Sequence, residues 1–240
     1  MADIESLDTF AKTDVNRVKR TPDRGRYDKE TIYGILDAAL VCHIAYVIDG
    51  RPFCTPTGFW REGDHVYWHG SSASRMIRTQ APGLPVCLTV THVDSLVMAR
   101  SGFHHSVNYR SAMVFGTAHI VEDPAQKLAL MDRFVDRIYP GRSKIIRQPT
   151  VQEFKATTMM GMEIETASGK IRDKHVADEE EDYDSVPAWS ALYPVTQVLG
   201  EPSECPRTLP GLVRPEGMED FEPGARFDEV MAKAYRRTFP

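Results

Sequence analysis

The sequence predicts a mainly β protein of the α+β class, in which antiparallel strands form a barrel with a few peripheral helices. Two observations predict this class. Short apolar runs rich in β-branched residues follow one another closely, and turn signals such as Asp49-Gly50 separate them. Helical periodicity is confined to a few stretches, so the chain lacks the strand–helix alternation that builds a doubly wound parallel sheet.

Seven segments are predicted as strands, and the turns between them are short. Asp49-Gly50 and Glu62-Gly63-Asp64 close two successive hairpins, and Asp94-Ser95 is interpreted as a further turn. Gly116, inside the longest segment, indicates a bulge or a close backbone approach. The segments are residues 41–48, 52–60, 65–69, 86–93, 96–100, 109–121 and 160–167, so we expect five to seven antiparallel strands.

The clearest helix is predicted over residues 124–138, where apolar residues recur at helical spacing. Asp123-Pro124 supplies its N-cap and a proline in the first turn. A shorter helix is predicted from Asp28, as N-cap, to about residue 39. Further short helices are predicted over residues 74–80, 150–157 and 227–238.

Composition divides the chain into three parts. Residues 1–27 are polar and are interpreted as an N-terminal arm, whereas residues 28–197 carry the predicted barrel. Residues 198–240 form a proline-rich extension that is expected to wrap over the surface before the predicted helix 227–238. We therefore expect one principal domain with an arm before it and an extension after it.

Charge and hydropathy exclude several classes of protein. The net charge of −5 argues against non-specific nucleic-acid binding. No apolar run approaches the roughly 20 residues that cross a bilayer, and the acidic N-terminus lacks the apolar segment of a secretory signal. The four cysteines show no CxxC spacing, so free thiols in a reducing compartment are the simplest interpretation. We expect a cytoplasmic protein with no membrane or nucleic-acid partner.

The segment VYWHGSSASR, residues 66–75, is the strongest candidate for a binding site. Its serines and Arg75 offer hydroxyls and a forked guanidinium to one dianion, and Gly70 allows close backbone approach. Backbone N–H groups at the start of the predicted helix add partial positive charge. The pattern predicts a phosphate site, although an ordinary helix N-cap followed by a surface arginine uses the same residues.

Two histidine pairs give weaker signals. His65 and His69 are four apart, but on a strand they lie about 13 Å from each other, at about 3.3 Å per residue, which is too far to share a metal ion. No metal site is predicted. His104 and His105 lie in a loop, where they are either solvated, or line the mouth of a site, or contact an iron-bearing ligand.

The order of these elements resembles the pyridoxamine 5′-phosphate oxidase-like flavoproteins, and within them the flavin-nucleotide-binding branch that includes nitroimidazole-resistance-type reductases. The likeness covers roughly residues 17–197. It lies in VKRTPDRGRYDKETIYGIL (18–36), CHIAYVIDGRPFCTPTGFW (42–60), VYWHGSSASR (66–75), NYRSAMVFGTAHIV (108–121) and VPAWSALYPV (186–195). The resemblance implies an FMN-binding split β-barrel and a homodimer with FMN at the subunit interface.

The resemblance also implies roles for particular residues. One strand is expected to run along the flavin ring and ribityl chain and to offer backbone groups to them, through Cys54, Thr55, Pro56 and Thr57. His69 is expected beside the phosphate or the ribityl chain. The phosphate itself is expected to contact the loop residues Gly70, Ser71, Ser74 and Arg75.

Three further residues are implied at the flavin. Arg110 and Ser111 are expected to approach it from the long strand, and Trp189 is expected to come from the partner subunit and to cover the ring or line the substrate space. Met76 follows Arg75 where the wider family often has lysine, and residues that recognise pyridoxamine phosphate are not evident. We therefore do not expect pyridoxamine phosphate oxidase activity.

The function implied by the resemblance is an FMN-dependent oxidoreductase, in which the flavin carries the chemistry and no catalytic side chain is predicted. No GxGxxG motif follows a strand, so a reduced nicotinamide donor would dock transiently over the flavin. The substrate would be a small molecule stacked on the ring. The alternatives are a non-catalytic flavin carrier or sensor, a haem-binding or haem-degrading barrel with His104 or His105 as ligand, and a deazaflavin-dependent barrel.

Overall fold

The computed structural model describes residues 8–239, so the first seven residues of the predicted arm and Pro240 lie outside the described part. Its strands are β1 (Gly25–Arg26), β2 (Val41–Ile48), β3 (Arg51–Glu62), β4 (His65–Ser71), β5 (Leu84–Met98), β6 (Ser106–Ile120), β7 (Thr157–Glu163), β8 (Thr166–Arg172) and β9 (Ala191–Pro194). Its helices are α1 (Lys29–Asp37), α2 (Arg75–Gln80), α3 (Pro124–Ile138), α4 (Val151–Ala156), α5 (Glu180–Ser185) and α6 (Phe227–Thr238).

The strands form one nine-stranded sheet in the order β1-β8-β6-β7-β4-β3-β2-β5-β9, and a further pairing of β6 with β5 closes a ring of strands. The neighbouring strands run antiparallel. β2 and β3 pair along the whole hairpin, from Val41 opposite Gly58 to Ile48 opposite Arg51. The predicted class, a mainly β antiparallel barrel with peripheral helices, is confirmed.

Local sequence signals explain several of these elements. Asp28 accepts a hydrogen bond from the backbone N–H of Thr31 (2.8 Å) and Asp123 accepts from those of Ala125 and Gln126, so both predicted caps are present. In β2 buried and exposed residues alternate, as expected for a strand with one face on the core. A Cβ at Gly116 would lie 2.2 Å from the Glu163 carbonyl oxygen, so this glycine allows a close backbone approach.

The described residues fall into two units, the first of which contains residues 8–35, Val90–Met113 and Thr166–Thr196. Its buried side chains include Ile32, Val97 and Ala112. Asn16 is only 2% exposed and donates hydrogen bonds to the Thr166 hydroxyl and the Ala167 carbonyl, which ties the N-terminal arm to β8. This unit therefore has its own apolar core, closed by the arm.

The second unit contains Leu36–Thr89, Val114–Glu165 and residues 197–239. It holds the largest buried aromatic side chains, Phe59, Trp60 and Trp68. Phe134 of α3 packs on Trp60, with 5.6 Å between the ring centroids. Arg137 of α3 donates to the Met231 carbonyl of α6 (2.9 Å), so the C-terminal helix is bound to the core of this unit.

Two sequence predictions about strands are wrong. The predicted turn at Asp94-Ser95 lies inside the continuous strand β5, because Ser95 is buried and pairs with Pro194 of β9. The predicted strand 160–167 is instead divided between β7 and β8, and the strand total exceeds the five to seven expected. Among residues 8–239, no helix is long and apolar enough to cross a membrane.

Candidate functional site

One edge of β3 is unpaired where the sequence predicts contact with a cofactor. The β3–β4 ladder covers only Phe59–Glu62, opposite Trp68–His65. Continuation of that register would set Gly58 opposite His69, but the ladder does not extend so far. Along residues 53–58, the backbone groups that point away from β2 therefore have no strand partner within the described chain. A planar ligand with polar groups on its edge can pair with them instead.

The predicted contact residues of β3 offer backbone rather than charge. Cys54 and Pro56 are exposed, whereas Thr55 and Thr57 are half-buried. The Thr55 hydroxyl lies 3.1 Å from the hydroxyl of Tyr46, a partner in the same hairpin. These four residues lie on the second unit, on the same strand as the free edge.

Hydrogen bonds within the loop between β4 and α2 hold its shape, and they leave the Ser74 hydroxyl without a partner among the described residues. The Ser74 N–H donates to the Ser71 carbonyl (2.8 Å), and the Ser71 hydroxyl accepts from the Ala73 N–H (3.2 Å). Ser72 is anchored through its N–H to the Ala156 carbonyl (2.9 Å). Ser74 occupies the N-cap position, but its side chain makes no capping hydrogen bond. Ser74 is therefore the N-cap residue by position only, and its hydroxyl is available to a ligand.

Arg75 carries a charge that the described residues leave unneutralised. It is exposed, and no ion pair to it is found within residues 8–239. Its guanidinium lies 4.4 Å from the centroid of the Phe53 ring, at the start of the free edge of β3. The contact with the aromatic face holds the guanidinium in place without cancelling its charge. An anion bound by Arg75 and Ser74 would therefore lie at the end of this edge.

Gly70 has a packing role that the sequence did not reveal. A Cβ at this position would lie 2.9 Å from Cγ1 of Ile77, so glycine lets α2 pack closely on β4. Met76 and Ile77 are 6% and 2% exposed, and both point into the core. The residue in the place of the family's lysine thus contributes to packing and not to the charge of the loop.

His69 presents an unsatisfied polar atom beside the same edge. Its ring lies edge-on to Phe134, with 4.5 Å between centroids, and burial lowers its pKa, so the ring is neutral at neutral pH. Nδ1 is buried and has no hydrogen-bond partner among the described residues. Buried polar atoms are normally paired, so a polar group of a bound ligand would complete this position. Phe134 was not predicted here, because its spacing indicates only the apolar face of a helix.

The other predicted site residues belong to the first unit. Arg110 makes a forked ion pair with Asp94, with Nη2 to Oδ1 at 2.8 Å, and the Ser111 hydroxyl donates to the Lys170 carbonyl (3.2 Å). Trp189 is 70% exposed and lies edge-on to Tyr193, with 6.1 Å between ring centroids. The Asp94 carboxylate thus neutralises Arg110 locally, whereas the indole of Trp189 is open to a partner.

The first unit also contains an apolar groove of about 460 Å³ that the sequence did not predict as a pocket. It is lined by Leu96, Val97, Met98, His105, Ser106 and Tyr193. Nδ1 of His105 lies 2.8 Å from the Ser101 carbonyl oxygen. Because a carbonyl only accepts, Nδ1 carries the proton in the neutral ring and Nε2 keeps a free lone pair. The groove therefore combines apolar walls with one nitrogen able to bind a metal.

A polar cleft of about 760 Å³ lies on the second unit, away from the predicted residues. Its lining includes Tyr67, His119, Glu122 and Glu163. Within residues 8–239, no group of three or more histidine, cysteine or acidic side chains is arranged to hold a metal ion.

Comparison with known proteins extends these observations. The family model described as pyridoxamine 5′-phosphate oxidase matches residues 28–171. The structure of the flavocytochrome Anf3 from Azotobacter vinelandii is 40% identical, with a TM-score of 0.81, and the match covers 88% of this chain and 98% of that one. The FAD and haem binding protein from Mycobacterium smegmatis is 31% identical, with a TM-score of 0.78, and the match covers 85% and 98%.

No protein with a curated function matches this chain. The family model nevertheless spans more than half of the residues, and both structural relatives are matched over nearly their whole length. The segments that carried the resemblance from residue 28 to residue 121 lie inside the matched region. The chain therefore belongs to the pyridoxamine 5′-phosphate oxidase family.

Proposed function

We propose that this protein is a flavin-binding redox protein that holds the flavin along the free edge of β3, with its phosphate at the Ser71–Arg75 loop. The observation that carries the proposal is the edge of β3 at residues 53–58, which is unpaired in the described part of the chain and lies beside Arg75, which has no ionic partner there. The flavin, when bound, supplies the electron-transfer chemistry. The chain binds and orients it.

Different residues of the second unit bind different parts of the flavin. Arg75 and Ser74 bind the phosphate through charge-assisted hydrogen bonds, since neither side chain is engaged by an oxygen of residues 8–239. Backbone groups of residues 53–58 orient the polar edge of the ring system. The neutral ring of His69 offers its unpaired Nδ1 to a polar group of the ligand.

The flavin that the chain binds is either FMN or FAD. The sequence predicts FMN, whereas the relative of 31% identity is an FAD and haem binding protein. Both flavins carry a phosphate on the ribityl chain, so the Ser71–Arg75 loop suits either. We propose FAD as the resident flavin, because the relative's match covers almost its whole chain, with FMN as the alternative outcome.

We also propose that the protein binds haem. The two relatives are a flavocytochrome and an FAD and haem binding protein, at 40% and 31% identity. The apolar groove of the first unit, with a histidine whose Nε2 is free, fits a haem group chemically. Haem binding, which the sequence offered as an alternative to flavin binding, is thus proposed in addition to it.

A homodimer is the proposed assembly. The outward face of β2 is apolar where a solvated sheet face is normally polar, since Val41 and Val47 are 55% and 53% exposed. On β3, Cys54 faces Ala45 and Pro56 faces His43, so the same face continues across the hairpin. A second copy would bury this surface, and light scattering of the purified chain would then give twice the monomer mass. A monomer that binds flavin fully contradicts the assembly.

The test of flavin function is an absorption spectrum of the purified full-length chain, followed by chromatography of the released chromophore against FMN and FAD standards. Flavin bands that bleach with reduced nicotinamide support an oxidoreductase with a transient donor. Flavin bands that bleach only with a chemical reductant favour a non-catalytic carrier or sensor. No flavin uptake from either FMN or FAD refutes the proposal, and a chromophore that co-elutes with neither standard points to a deazaflavin.

The cytoplasm is the proposed compartment. Its support is the set of free thiols, Cys42, Cys54, Cys87 and Cys205, of which two are exposed. Fractionation of cells that express the chain at native level checks this compartment.

A further inference from the structure

We infer that haem binds in the groove formed by Leu96, Val97, Met98, Ser106 and Tyr193, and that Nε2 of His105 would bind its iron. The inference rests on the proposed haem binding and adds to it the place and the ligand. Its grounds are the shape and chemistry of the groove, the hydrogen bond of His105 and the engagement of neighbouring histidines.

The groove has the character of a site for a large apolar ring. Its volume of about 460 Å³ lies in the range of small-molecule sites. Leu96 and Met98 are 49% and 36% exposed although both side chains are apolar, so water now covers surface that a ligand would bury. Tyr193 contributes an aromatic wall, and Leu96 pairs with it across β5 and β9.

His105 is prepared as a metal ligand by its hydrogen bond. Metal-ligating histidines donate their second ring N–H to a carbonyl or carboxylate, which fixes the tautomer and orients the ring. The contact from Nδ1 to the Ser101 carbonyl at 2.8 Å is this arrangement, and it leaves Nε2 as the free nitrogen. Met98 and Tyr193 line the same groove and belong to residue types that can ligate haem iron, so the groove would hold further side chains of ligand type.

His104 and His92 of the first unit have their Nε2 atoms engaged elsewhere. Nε2 of His104 lies 3.4 Å from a carboxylate oxygen of Glu179. Nε2 of His92 lies 3.1 Å from the Ile35 carbonyl oxygen. His105 is thus distinguished from its neighbour in the chain, His104, by a free Nε2 and by a place in the groove wall.

The test compares haem binding by the full-length chain and two variants, His105→Ala and its matched control His104→Ala, titrated with haemin and followed by the Soret band. We expect His105→Ala to bind haem at least about tenfold more weakly, with a shifted Soret band, and to recover the wild-type spectrum when imidazole is added. His104→Ala should bind within about twofold of wild type. The flavin content and circular dichroism of each variant report whether it folds.

A second pair of variants tests the groove without touching a ligand. Leu96→Glu places a carboxylate in the groove, whereas Val93→Glu places one at a similarly exposed position of β5 outside its lining. We expect Leu96→Glu to weaken haem binding at least about tenfold and Val93→Glu to change it less than about twofold.

The failures are distinguishable. Wild-type chain that takes up no haem overturns the proposed haem binding and this inference with it. If the wild type binds haem but His105→Ala retains its affinity and spectrum, haem binding stands and this assignment is overturned. Loss of haem by His104→Ala alone, or equal losses in the two glutamate variants, overturns the assignment as well.

Discussion

Arg75→Ala tests the phosphate loop most directly. Arg75 has no ionic partner within residues 8–239, so its guanidinium is free to form charge-assisted hydrogen bonds with a flavin phosphate. Such bonds contribute about 1.5–3 kcal/mol each, which corresponds to about a 10- to 150-fold loss of affinity. Arg75 is exposed, and exposure favours the lower end, so we expect about a tenfold weaker flavin Kd.

The assay is a fluorescence titration of flavin-free protein with FAD and with FMN at fixed ionic strength. Arg78→Ala is the matched control, because Arg78 is an exposed arginine of the same helix whose Nε donates to the Ser72 carbonyl (3.3 Å). Its loss removes the same charge from α2, and we expect no more than about a threefold effect. Equal effects of the two variants, or an unchanged Kd in Arg75→Ala, would refute the reasoning.

Three further predictions concern stability, measured by urea unfolding. Gly116→Ala should cost about 1–3 kcal/mol because its Cβ would lie 2.2 Å from the Glu163 carbonyl oxygen, whereas Gly34→Ala, whose Cβ meets nothing within 4 Å, should stabilise α1 by about 0.5–1 kcal/mol; equal effects would contradict this. Arg137→Met removes the donor for the Asp37, Ala39 and Met231 carbonyls and should cost about 3 kcal/mol, while Arg133→Met, at an exposed pair with Glu62, should cost less than about 1 kcal/mol. Burial lowers the pKa of His69 below its value in the unfolded chain, so the unfolded chain binds one more proton than the folded chain as pH falls below about 6.5. The part of the free energy of unfolding that depends on a neutral His69 ring is therefore lost over that range. His69→Gln should therefore lose less stability than wild type between pH 7.5 and 5.5, and parallel losses would contradict the assignment.

Sequence patterns over a few residues predicted those elements that are specified by interactions between residues close together in the chain. The caps at Asp28 and Asp123 form because a side-chain carboxylate meets backbone N–H groups two or three residues ahead. β2 follows the predicted bounds because an apolar run rich in β-branched residues, followed by a two-residue turn, specifies a hairpin by itself. The turn predicted at Asp94-Ser95 failed because Ser95 pairs with Pro194, and such a distant partner leaves no trace in the local pattern.

The candidate site likewise has features that the sequence predicts and features that depend on the tertiary structure. The types and spacing of the hydroxyl residues and the arginine of residues 71–75 predict an anion-binding loop. The availability of Arg75 and Ser74, in contrast with Arg110, depends on which oxygens the fold brings near them, and Asp94 lies beside Arg110 only through the strand arrangement. The unsatisfied Nδ1 of His69 likewise arises because α3 places Phe134 against its ring.

By itself, the sequence determined the class of fold, the hairpin that carries the predicted cofactor strand and the family. These features depend on the types of residues and on their spacing over short stretches of the chain. Only the tertiary structure decided that β3 pairs with β4 only from Phe59 onward, that an apolar groove forms around His105, and that Nδ1 of this histidine is held by the Ser101 carbonyl. The physical reason is that a free strand edge, a cavity and the tautomer of a ring depend on which groups meet in space, and distant parts of the chain supply those groups.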